Sequence, residues 1–402
     1  SAAAGASYLL AADRDGSGAA VLAALARLAA HVLSSADVPA VVGVTGSSGK
    51  TSTKDLLAAV LSPLGPTVAP PGSFNNELGH PWTVLRVDEH TRHLVLELSA
   101  RGPGDIAALC RAAPPRIGVV LNVGRAHLGQ FGSIDAVARA KGELVEALPA
   151  ARDGGVAVLN SDDPKVAAMA TRTVARVIMF GQAASAQVRA HDVTLDDGGR
   201  ARFRLSAPVG QADVALQLVG PHQVGNALAA AAVALELGAG VEQVAAALNG
   251  AGPVSRWRME VTDRQDGVTV VNDAYNANPE SMTAAVQALV AIAGGAPGRR
   301  RRSWAVLGEM AELGTAGVDA HAEIAELAAT SGVDRLVAVA THGYGPDAEY
   351  VPDAAAALDL LHAQLRPADV VLVKASRAVG LDRVAAGLLS APTSPIAEQV
   401  SG

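Results

Sequence analysis

The fold class is decided by one stretch of nine residues, Gly43-Val44-Thr45-Gly46-Ser47-Ser48-Gly49-Lys50-Thr51. The apolar run 40–44 that leads into it predicts a buried strand, and residues 51–61 predict a helix. Between a strand and a helix, glycines let backbone N–H groups turn toward an anion, and the helix N-terminus adds a partial positive charge. The alternative is a glycine-rich turn that only caps the helix. We predict a phosphate-binding loop in an α/β domain.

Side chains of this loop suit nucleotide chemistry. Lys50 can reach the β- and γ-phosphates of a nucleotide, and the Thr51 hydroxyl can coordinate Mg²⁺. Phosphoryl transfer needs mainly positioning and charge neutralisation, which a lysine and Mg²⁺ can supply. The residues expected to hold the nucleotide phosphates are Gly46, Ser47, Ser48, Gly49, Lys50, Thr51 and Ser52.

Strands and helices alternate after the loop. Predicted strands lie at 93–98, 117–122 and 155–160, and predicted helices at 105–113, 133–148, 223–237 and 241–248. Buried apolar strands that alternate with amphipathic helices indicate a mostly parallel sheet covered on both faces. Residues 185–219 alternate differently, with Gly and Asp turns, and predict a short antiparallel ribbon.

A domain boundary is expected near Gly252-Pro253, because a second alternating series begins beyond it. That series predicts strands at 268–272, 304–307, 335–339 and 369–373, with helices at 279–292, 320–330 and 352–364. It indicates a second, doubly wound, Rossmann-like α/β domain. We therefore divide the chain into 1–36, 37–253 and 254–402, and the first part, one helical stripe with a short lead-in, is too small to fold alone.

Composition excludes several classes of protein. With 402 residues, two or three domains are expected. The net charge of −7 argues against a nucleic-acid coat or a binder of anionic membranes, and the single cysteine, Cys110, suits a reducing compartment. No uninterrupted apolar run reaches the roughly 18 residues of a membrane span, and Asp13-Arg14-Asp15 argues against a signal peptide. We expect a soluble, cytoplasmic, monomeric protein, with Cys110 in the core and Arg299–Arg302 in a solvated loop.

Three side chains outside the loop are candidates for chemistry. Glu97 ends an apolar strand, so its carboxylate should lie at the carboxyl edge of the sheet, where a metal ligand belongs; the alternative is a solvated strand end. His127 follows the next strand, although a lone histidine is more often a structural hydrogen-bonder. Lys141 is one of only five lysines among 32 basic residues, which mildly favours a role that needs an amine over a surface position.

The loop departs from the common nucleotide-binding pattern, because Val44 stands where that pattern has Gly. Its Gly-x-Thr-Gly-x-x-Gly-Lys-Thr form resembles the Mur ligase and folylpolyglutamate synthase superfamily. The further stretches that resemble Mur ligases are Ser73–Pro81, with Asn75-Asn76, then Gly220–Asn226, Asp273–Met282, Leu307–Gly314 with His321, and Lys374–Arg377. The resemblance runs from about residue 37 to about residue 390 and is strongest to family members that add a dipeptide.

What the resemblance implies is an ATP- and Mg²⁺-dependent ligase that works through an acyl phosphate. It would add D-alanyl-D-alanine to UDP-N-acetylmuramoyl tripeptide in peptidoglycan synthesis. Family members begin with a uridine-binding domain, so residues 1–36 are expected to be its remnant. The alternatives are a superfamily ligase that adds a single amino acid, a P-loop ATPase that performs no ligation, and a catalytically silent scaffold.

The resemblance also assigns roles to residues. It implies metal ligation by Thr51, Glu97, His127 and Lys141, the lysine as a carbamate formed with CO₂, and a catalytic set of Lys50, Glu97, His127, Lys141, Arg258 and Asp273. Asn226 would face the nucleotide, Arg258 would contact it, and Asp273 would hold the ribose or orient Arg258. The substrate-binding candidates are Asn75, Asn76, Asn278, Lys374 and Ser376, the last three with closure of the domains as an alternative role.

Overall fold

The computed structural model describes residues 11, 13, 16–295 and 300–390. In chain order, its first half contains α1 (Ala19–Ala36), β1 (Ala40–Thr45), α2 (Lys50–Leu61), β2 (Thr67–Val68), α3 (Gly79–Val84), β3 (His93–Glu97), α4 (Asp105–Ala112), β4 (Ile117–Val120), α5 (Leu128–Phe131), α6 (Ile134–Glu146), β5 (Val156–Asn160), α7 (Pro164–Ala167), β6 (Arg176–Gly181), β7 (Val188–Leu195), β8 (Arg200–Ala207), β9 (Gly210–Val219), α8 (Gln223–Glu236) and α9 (Val241–Gly250). The second half contains β10 (Glu260–Asp263), β11 (Thr269–Asn272), α10 (Pro279–Gly294), β12 (Ser303–Leu307), α11 (Gly317–Thr330), β13 (Arg335–Val339), β14 (Glu349–Val351), α12 (Ala354–Gln364), β15 (Val370–Lys374) and α13 (Asp382–Ser390).

The first sheet has the order β2-β3-β1-β4-β5-β6-β7-β8-β9 within the described residues. Its strands are parallel from β2 through β7, and β7, β8 and β9 form an antiparallel ribbon. Every residue of β1 and β3 is buried, as expected for parallel strands with helices on both faces. Helices α2, α8 and α9 cover one face, and α1, α3, α4 and α6 cover the other.

The second sheet has the order β10-β11-β15-β12-β13-β14, in which only the pair β10–β11 is antiparallel. Helices α10 and α11 pack on one face, through residues such as Leu289 and Ile324. Helices α12 and α13 pack on the other, through Leu361 and Val384. Two separately cored α/β units follow one another along the chain, and the predicted fold class is confirmed.

The ribbon predicted at 185–219 exists, but it does not stand apart from the parallel sheet. The last strand of the parallel set, β6, pairs with β7 through Phe180 and Val188, so the ribbon extends the same sheet. The elements missing from the sequence prediction are β2, α3, α5, α7, β6, β10, β14 and α13. Most of them are short, and they lack a full period of apolar residues from which a pattern could be read.

Helix α1 packs against the first α/β unit, although we predicted from the sequence that residues 1–36 form a separate part of the chain. Its Ala29 and Leu33 pack in the same cluster as Val84 of α3 and Ile106 of α4. By length and composition alone, it is also the one described helix that could cross a membrane, with 18 residues and a mean hydropathy of 1.6. One such helix near the N-terminus is weak support for a span, and Arg27 and His31 interrupt its apolar sequence. The helix therefore matches a span in length and average hydropathy, but it contains no uninterrupted apolar run of about 18 residues.

Two features to which the sequence assigned no catalytic role, the single cysteine and the arginine run, have structural roles. Cys110 is buried, and burial raises the pKa of its thiol to about 12, which suits a core residue. The sequence predicted a solvated loop for the arginine run, but its described arginines form specific ion pairs. Arg300 forms an ion pair with Asp334, and Arg302 forms one with the buried Asp369. The described arginines of the run therefore fasten the loop before β12 to the edge of the sheet.

Candidate active site

The phosphate loop joins β1 to α2, and its shape depends on Gly49. Gly49 precedes α2 with a φ of +82°, a conformation that favours glycine. A Cβ at this position would lie 2.5 Å from Asn226 Oδ1, so the close approach of α8 also requires glycine. Within the loop, the Lys50 amine donates to the Gly46 carbonyl oxygen at 2.7 Å. Burial lowers the pKa of Lys50 to about 8, which leaves its charge available for an anion at neutral pH.

Asn122, just beyond β4, holds the loop from the neighbouring strand. Its side-chain oxygen accepts from the Ser48 backbone N–H at 3.0 Å, and its amide donates to the Ser48 carbonyl at 3.3 Å. The Asn122 carbonyl accepts from the Ser47 N–H at 3.2 Å. These bonds fix the direction of the loop amides before any ligand binds, so Asn122 orients the loop.

Thr51 and Glu97 meet beneath the loop. The Thr51 hydroxyl donates to Glu97 Oε2 at 3.4 Å and lies 2.7 Å from the Ser73 hydroxyl. Asn75 donates to the same carboxylate oxygen at 3.3 Å. Glu97 is 0% exposed, and burial raises the pKa of its carboxyl group.

The other oxygen of Glu97, Oε1, is buried and has no hydrogen-bond partner among the described residues. A buried carboxylate with an orphaned oxygen is expected to be paired, and a divalent cation would satisfy it. Thr51 and Glu97 thus fit a Mg²⁺ site. The described residues contain no group of three or more His, Cys, Asp or Glu side chains that could hold a metal by itself.

Arg258 reaches this cluster from the second unit. Its guanidinium donates to Ser73 at 3.0 Å and to Thr51 at 3.2 Å. The same guanidinium stacks on the Tyr275 ring, 4.0 Å from the centroid. The next residue is held too, because the Met259 N–H donates to Asp273 Oδ1 at 3.0 Å. Of the two roles expected for Asp273, the geometry favours orienting the segment before β10 that carries Arg258.

Lys374 completes that support from the end of β15. Its amine donates to Asp273 Oδ2 at 2.6 Å and to the Asn276 carbonyl at 2.7 Å. Burial lowers the pKa of Lys374, and the Asp273 carboxylate opposes this shift. Ser376 accepts from the Ala311 N–H at 2.9 Å. Lys374 therefore braces the turn 273–276, and Ser376 joins two loops of the second unit.

His127 and Lys141 occupy different surroundings from those expected. The His127 imidazole lies against the carboxylate of Glu312 in the second unit, and burial lowers the pKa of the imidazole. Lys141 is buried on α6, and no hydrogen bond or ion pair of its amine is found among the described residues. Burial and the nearby charge of Lys50 hold the pKa of Lys141 well below its usual value. The surface alternative for Lys141 was wrong.

Asn278 links the two units. Its side-chain oxygen accepts from the Ser281 N–H at 2.9 Å and caps α10, and its amide donates to the Ser47 carbonyl at 3.3 Å. Glu280 also crosses the boundary and accepts from the Arg125 N–H at 2.9 Å. The phosphate loop is therefore in direct contact with the second unit.

A cavity of about 510 Å³ lies between these walls. The predicted residues that line it are Ser47, Ser48, Gly49, Lys50, Thr51, Ser52, Asn75, His127, Asn226, Arg258, Asp273, Asn278, Lys374 and Ser376. Gly46 and Glu97 lie directly behind the lining. Asn76 and Lys141 do not line the cavity. The side-chain oxygen of Asn76 instead accepts from the Gly79 N–H at 2.9 Å, at the start of α3.

Several residues of the cavity were not predicted from the sequence. Ser73, Tyr275 and Glu280 line it through the contacts described above, and His222 lines it from the start of α8. Burial lowers the pKa of His222 to about 4, so its ring is neutral at physiological pH. All four lie within the quoted motifs, whose residue types could have drawn attention to them, but only the fold brings them to one cavity.

Two family models match the chain. The Mur ligase middle domain matches residues 44–234, and the Mur ligase glutamate ligase domain matches residues 257–377. The UDP-N-acetylmuramoyl-tripeptide--D-alanyl-D-alanine ligase of Mycobacterium tuberculosis is 56% identical over 408 residues, which cover 95% of this chain and 79% of that protein. The chain belongs to the Mur ligase family.

Another curated relative and two solved structures are also similar to this Mur ligase. The Escherichia coli enzyme with the same name is 35% identical, over 87% of this chain and 77% of its own length. A crystal structure of MurF from Acinetobacter baumannii superimposes with a TM-score of 0.83 and 30% identity, over 92% of this chain and 81% of that one. MurF ligase from Thermotoga maritima in complex with ADP gives a TM-score of 0.79 and 31% identity, over 94% and 86%.

Proposed function

We propose that this Mur ligase joins the carboxylate of a UDP-N-acetylmuramoyl tripeptide to the amine of D-alanyl-D-alanine, with ATP as the energy source, in peptidoglycan synthesis. The names of its relatives in Mycobacterium tuberculosis and Escherichia coli support this substrate pair. The observation that carries the proposal is the cavity between the two units, where the phosphate loop faces Arg258 and the turn that holds Asp273.

Amide formation from a carboxylate and an amine is uphill, so the carboxylate must first be activated. A carboxylate oxygen attacks the γ-phosphorus of ATP, and the bond to the β,γ-bridging oxygen breaks, which yields ADP and an acyl phosphate. The dipeptide amine then attacks the acyl carbon. Phosphate departs with the former carboxylate oxygen, and the amine nitrogen loses a proton.

The residues of the cavity suit the first step. The loop amides and the Lys50 ammonium receive the phosphates, and Arg258 supplies a second positive charge from the other side of the cavity. Arg258 is in place only when the two units meet, so charge neutralisation depends on their contact. Asn226, between Gly49 and the cavity, is proposed to face the nucleotide, while Asp273 and Lys374 keep Arg258 in position.

Thr51 and Glu97 are the residues of this chain that fit Mg²⁺, which when bound neutralises phosphate charge. We propose His127 and Lys141 as further ligands. Carbamate formation requires an unprotonated amine to attack CO₂ with loss of a proton, and the lowered pKa of the buried Lys141 favours this reaction. His127 would have to give up its contact with Glu312 for this role.

Fewer residues are proposed to contact the substrates directly than the sequence predicted. Asn75, held by Glu97 and Ser99, is a candidate to contact the muramoyl substrate. Lys374, Ser376 and Asn278 are proposed to act through positioning of the second unit. We also propose a monomeric, cytoplasmic enzyme with its domain boundary at 253/254.

The decisive experiment is to measure ATP-dependent phosphate release with purified tripeptide substrate. We expect release with D-alanyl-D-alanine and none with D-alanine, L-lysine or D-glutamate. Release with a single amino acid would favour another ligase of the superfamily. Release without any muramoyl substrate would favour an ATPase that performs no ligation.

A further inference from the structure

Arg377 has a guanidinium with no polar partner at the edge of the cavity. It follows β15, lines the cavity and is exposed. Its guanidinium carbon lies 3.9 Å from the Trp257 ring centroid and 5.9 Å from that of Tyr275. Among the described residues, no carboxylate or carbonyl pairs with it. Stacking on an aromatic face fixes the plane of a guanidinium and leaves its N–H edges free for a planar anion.

Two arginines share Tyr275 but have different partners. Arg258 lies 4.0 Å from the ring centroid and uses its N–H groups on Thr51 and Ser73 beside the phosphate loop. Arg377 lies farther out, on the side of Trp257, and its N–H groups are free. Arg101 also lines the cavity without a side-chain partner among the described residues, but no ring contact orients its guanidinium. Arg377 is therefore the better-positioned receptor for a carboxylate.

The spacing of the two arginines suits a dipeptide. Their distances to the same ring place the guanidinium carbons at most about 10 Å apart. An extended dipeptide spans roughly 7 Å, and each residue contributes about 3.5 Å. When its amine is at the acyl group near Arg258, its carboxylate can reach Arg377.

We infer that Arg377, braced by Trp257 and Tyr275, binds the C-terminal carboxylate of the acceptor dipeptide. The inference rests on the proposed function and adds a specificity-determining residue to it. A bidentate pair between arginine and carboxylate is stronger and more directional than a single neutral hydrogen bond.

The test compares D-alanyl-D-alanine with D-alanyl-D-alaninamide, in which the carboxylate is a neutral amide. Wild type should prefer the acid by about 10- to 100-fold in kcat/KM, since hydrogen bonds to charged groups contribute about 1.5–3 kcal/mol. In Arg377→Ala, kcat/KM for the acid should fall by that factor and that for the amide should stay within about threefold. Arg377→Lys, which keeps the charge without the planar fork, should restore part of the preference.

Arg383→Ala is the matched control, because Arg383 is an exposed arginine near Arg377 that does not line the cavity. This control should keep the wild-type preference. A wild-type acid-to-amide ratio in Arg377→Ala would overturn the inference and leave the proposed function standing. Failure of wild type to consume ATP with the dipeptide acid would instead overturn the proposed function and, with it, this inference.

Discussion

At the scale of single residues, the site depends on lysines that are placed where arginine would not serve. Lys50 bonds back to its own loop at Gly46, and the compact ammonium fits between the loop and the cavity. Lys141 is buried, and the nearby Lys50 ammonium adds to the effect of burial in lowering the pKa of Lys141. We expect Lys50 to act as a cation and Lys141 to react as an unprotonated amine.

We predict that Lys50→Ala lowers ATP-dependent ligation by roughly 100- to 1,000-fold, because a preorganised positive charge next to the transferred phosphoryl group is lost. Its circular dichroism spectrum should match that of wild type. Lys165→Ala is the control, because Lys165 is exposed, pairs with Asp135 at 2.6 Å and does not line the cavity. Substantial turnover by Lys50→Ala would remove the central role of the phosphate loop.

Lys141→Ala should also be inactive, but short-chain carboxylates such as acetate or propionate should restore part of its activity. The small acid would enter the space left by the side chain and replace the carbamate charge. Activity is measured as phosphate release against carboxylate concentration, with chloride at equal ionic strength as the control. Absence of rescue, together with an unmodified lysine mass in wild type at high bicarbonate, would contradict the carbamate proposal.

Residue types and spacing could predict the loop, but not every side-chain partner. Lys50, Thr51 and Glu97 were recognisable, since strand ends and a glycine-rich turn place them at one edge of the sheet. The pairing of His127 with Glu312 could not be predicted, because it joins residues 185 positions apart in different units. Asn76 was predicted to bind substrate, but its side chain bonds the backbone at the start of α3. From the sequence, an Asn before a short helix is equally suited to either role.

At the scale of elements, the N-cap residue of α10, Asn278, has both a local and a long-range function. Asn278 and Ser281 form a reciprocal capping box, and Pro279 occupies the first turn. The same Asn278 amide donates to the Ser47 carbonyl of the phosphate loop. The start of α10 therefore fixes the helix and its distance from the loop at once.

Two variants separate these functions of Asn278. Asn278→Asp keeps the capping oxygen but replaces the amide donor, so stability should stay within about 0.5 kcal/mol and ligation should fall about 3- to 10-fold. Asn278→Ala removes both and should also lose about 1 kcal/mol of unfolding free energy. Urea denaturation and steady-state kinetics measure the two effects. Full activity in Asn278→Asp would show that the contact with Ser47 has no role in turnover.

Strand pairing was harder to predict than strand existence. The alternation of 185–219 indicated a ribbon, but the pairing of β6 with β7 depends on a strand that the sequence pattern missed. Its exposed first residue and partly buried second and fourth residues obscure the period at β6. The parallel strands β1 and β3 were recognised more easily, because complete burial produces continuous apolar runs.

At the scale of the whole molecule, the two units approach through backbone as well as side chains. The Gly129 N–H in α5 donates to the Glu312 carbonyl at 3.1 Å. A Cβ on Gly129 would lie 2.8 Å from the Gly314 nitrogen, so glycine is needed for this approach. Arg125 adds an ion pair with Glu323 at 2.6 Å. Contact between the units brings Arg258 and Glu312 to the nucleotide side of the cavity.

Gly129→Ala should therefore weaken ligation, although alanine normally stabilises a helix relative to glycine. The backbone of the other unit must shift, at a cost of about 1–3 kcal/mol, so we expect turnover to fall by roughly 5- to 100-fold. The measurement combines phosphate release with the radius of gyration from small-angle scattering, which should rise. Gly240→Ala, with open space around its Cβ, is the control. Unchanged turnover and scattering in Gly129→Ala would contradict the need for close contact.

The central claim is that the cavity activates a carboxylate by phosphorylation before the amine attacks, and oxygen transfer tests it most directly. The muramoyl tripeptide is labelled with ¹⁸O in its terminal carboxylate, and inorganic phosphate is collected during ligation to D-alanyl-D-alanine. An acyl phosphate predicts one labelled oxygen in each phosphate released, because that oxygen bridges carbon and phosphorus in the intermediate. Phosphate free of ¹⁸O, alongside normal formation of the amide product, would contradict the account.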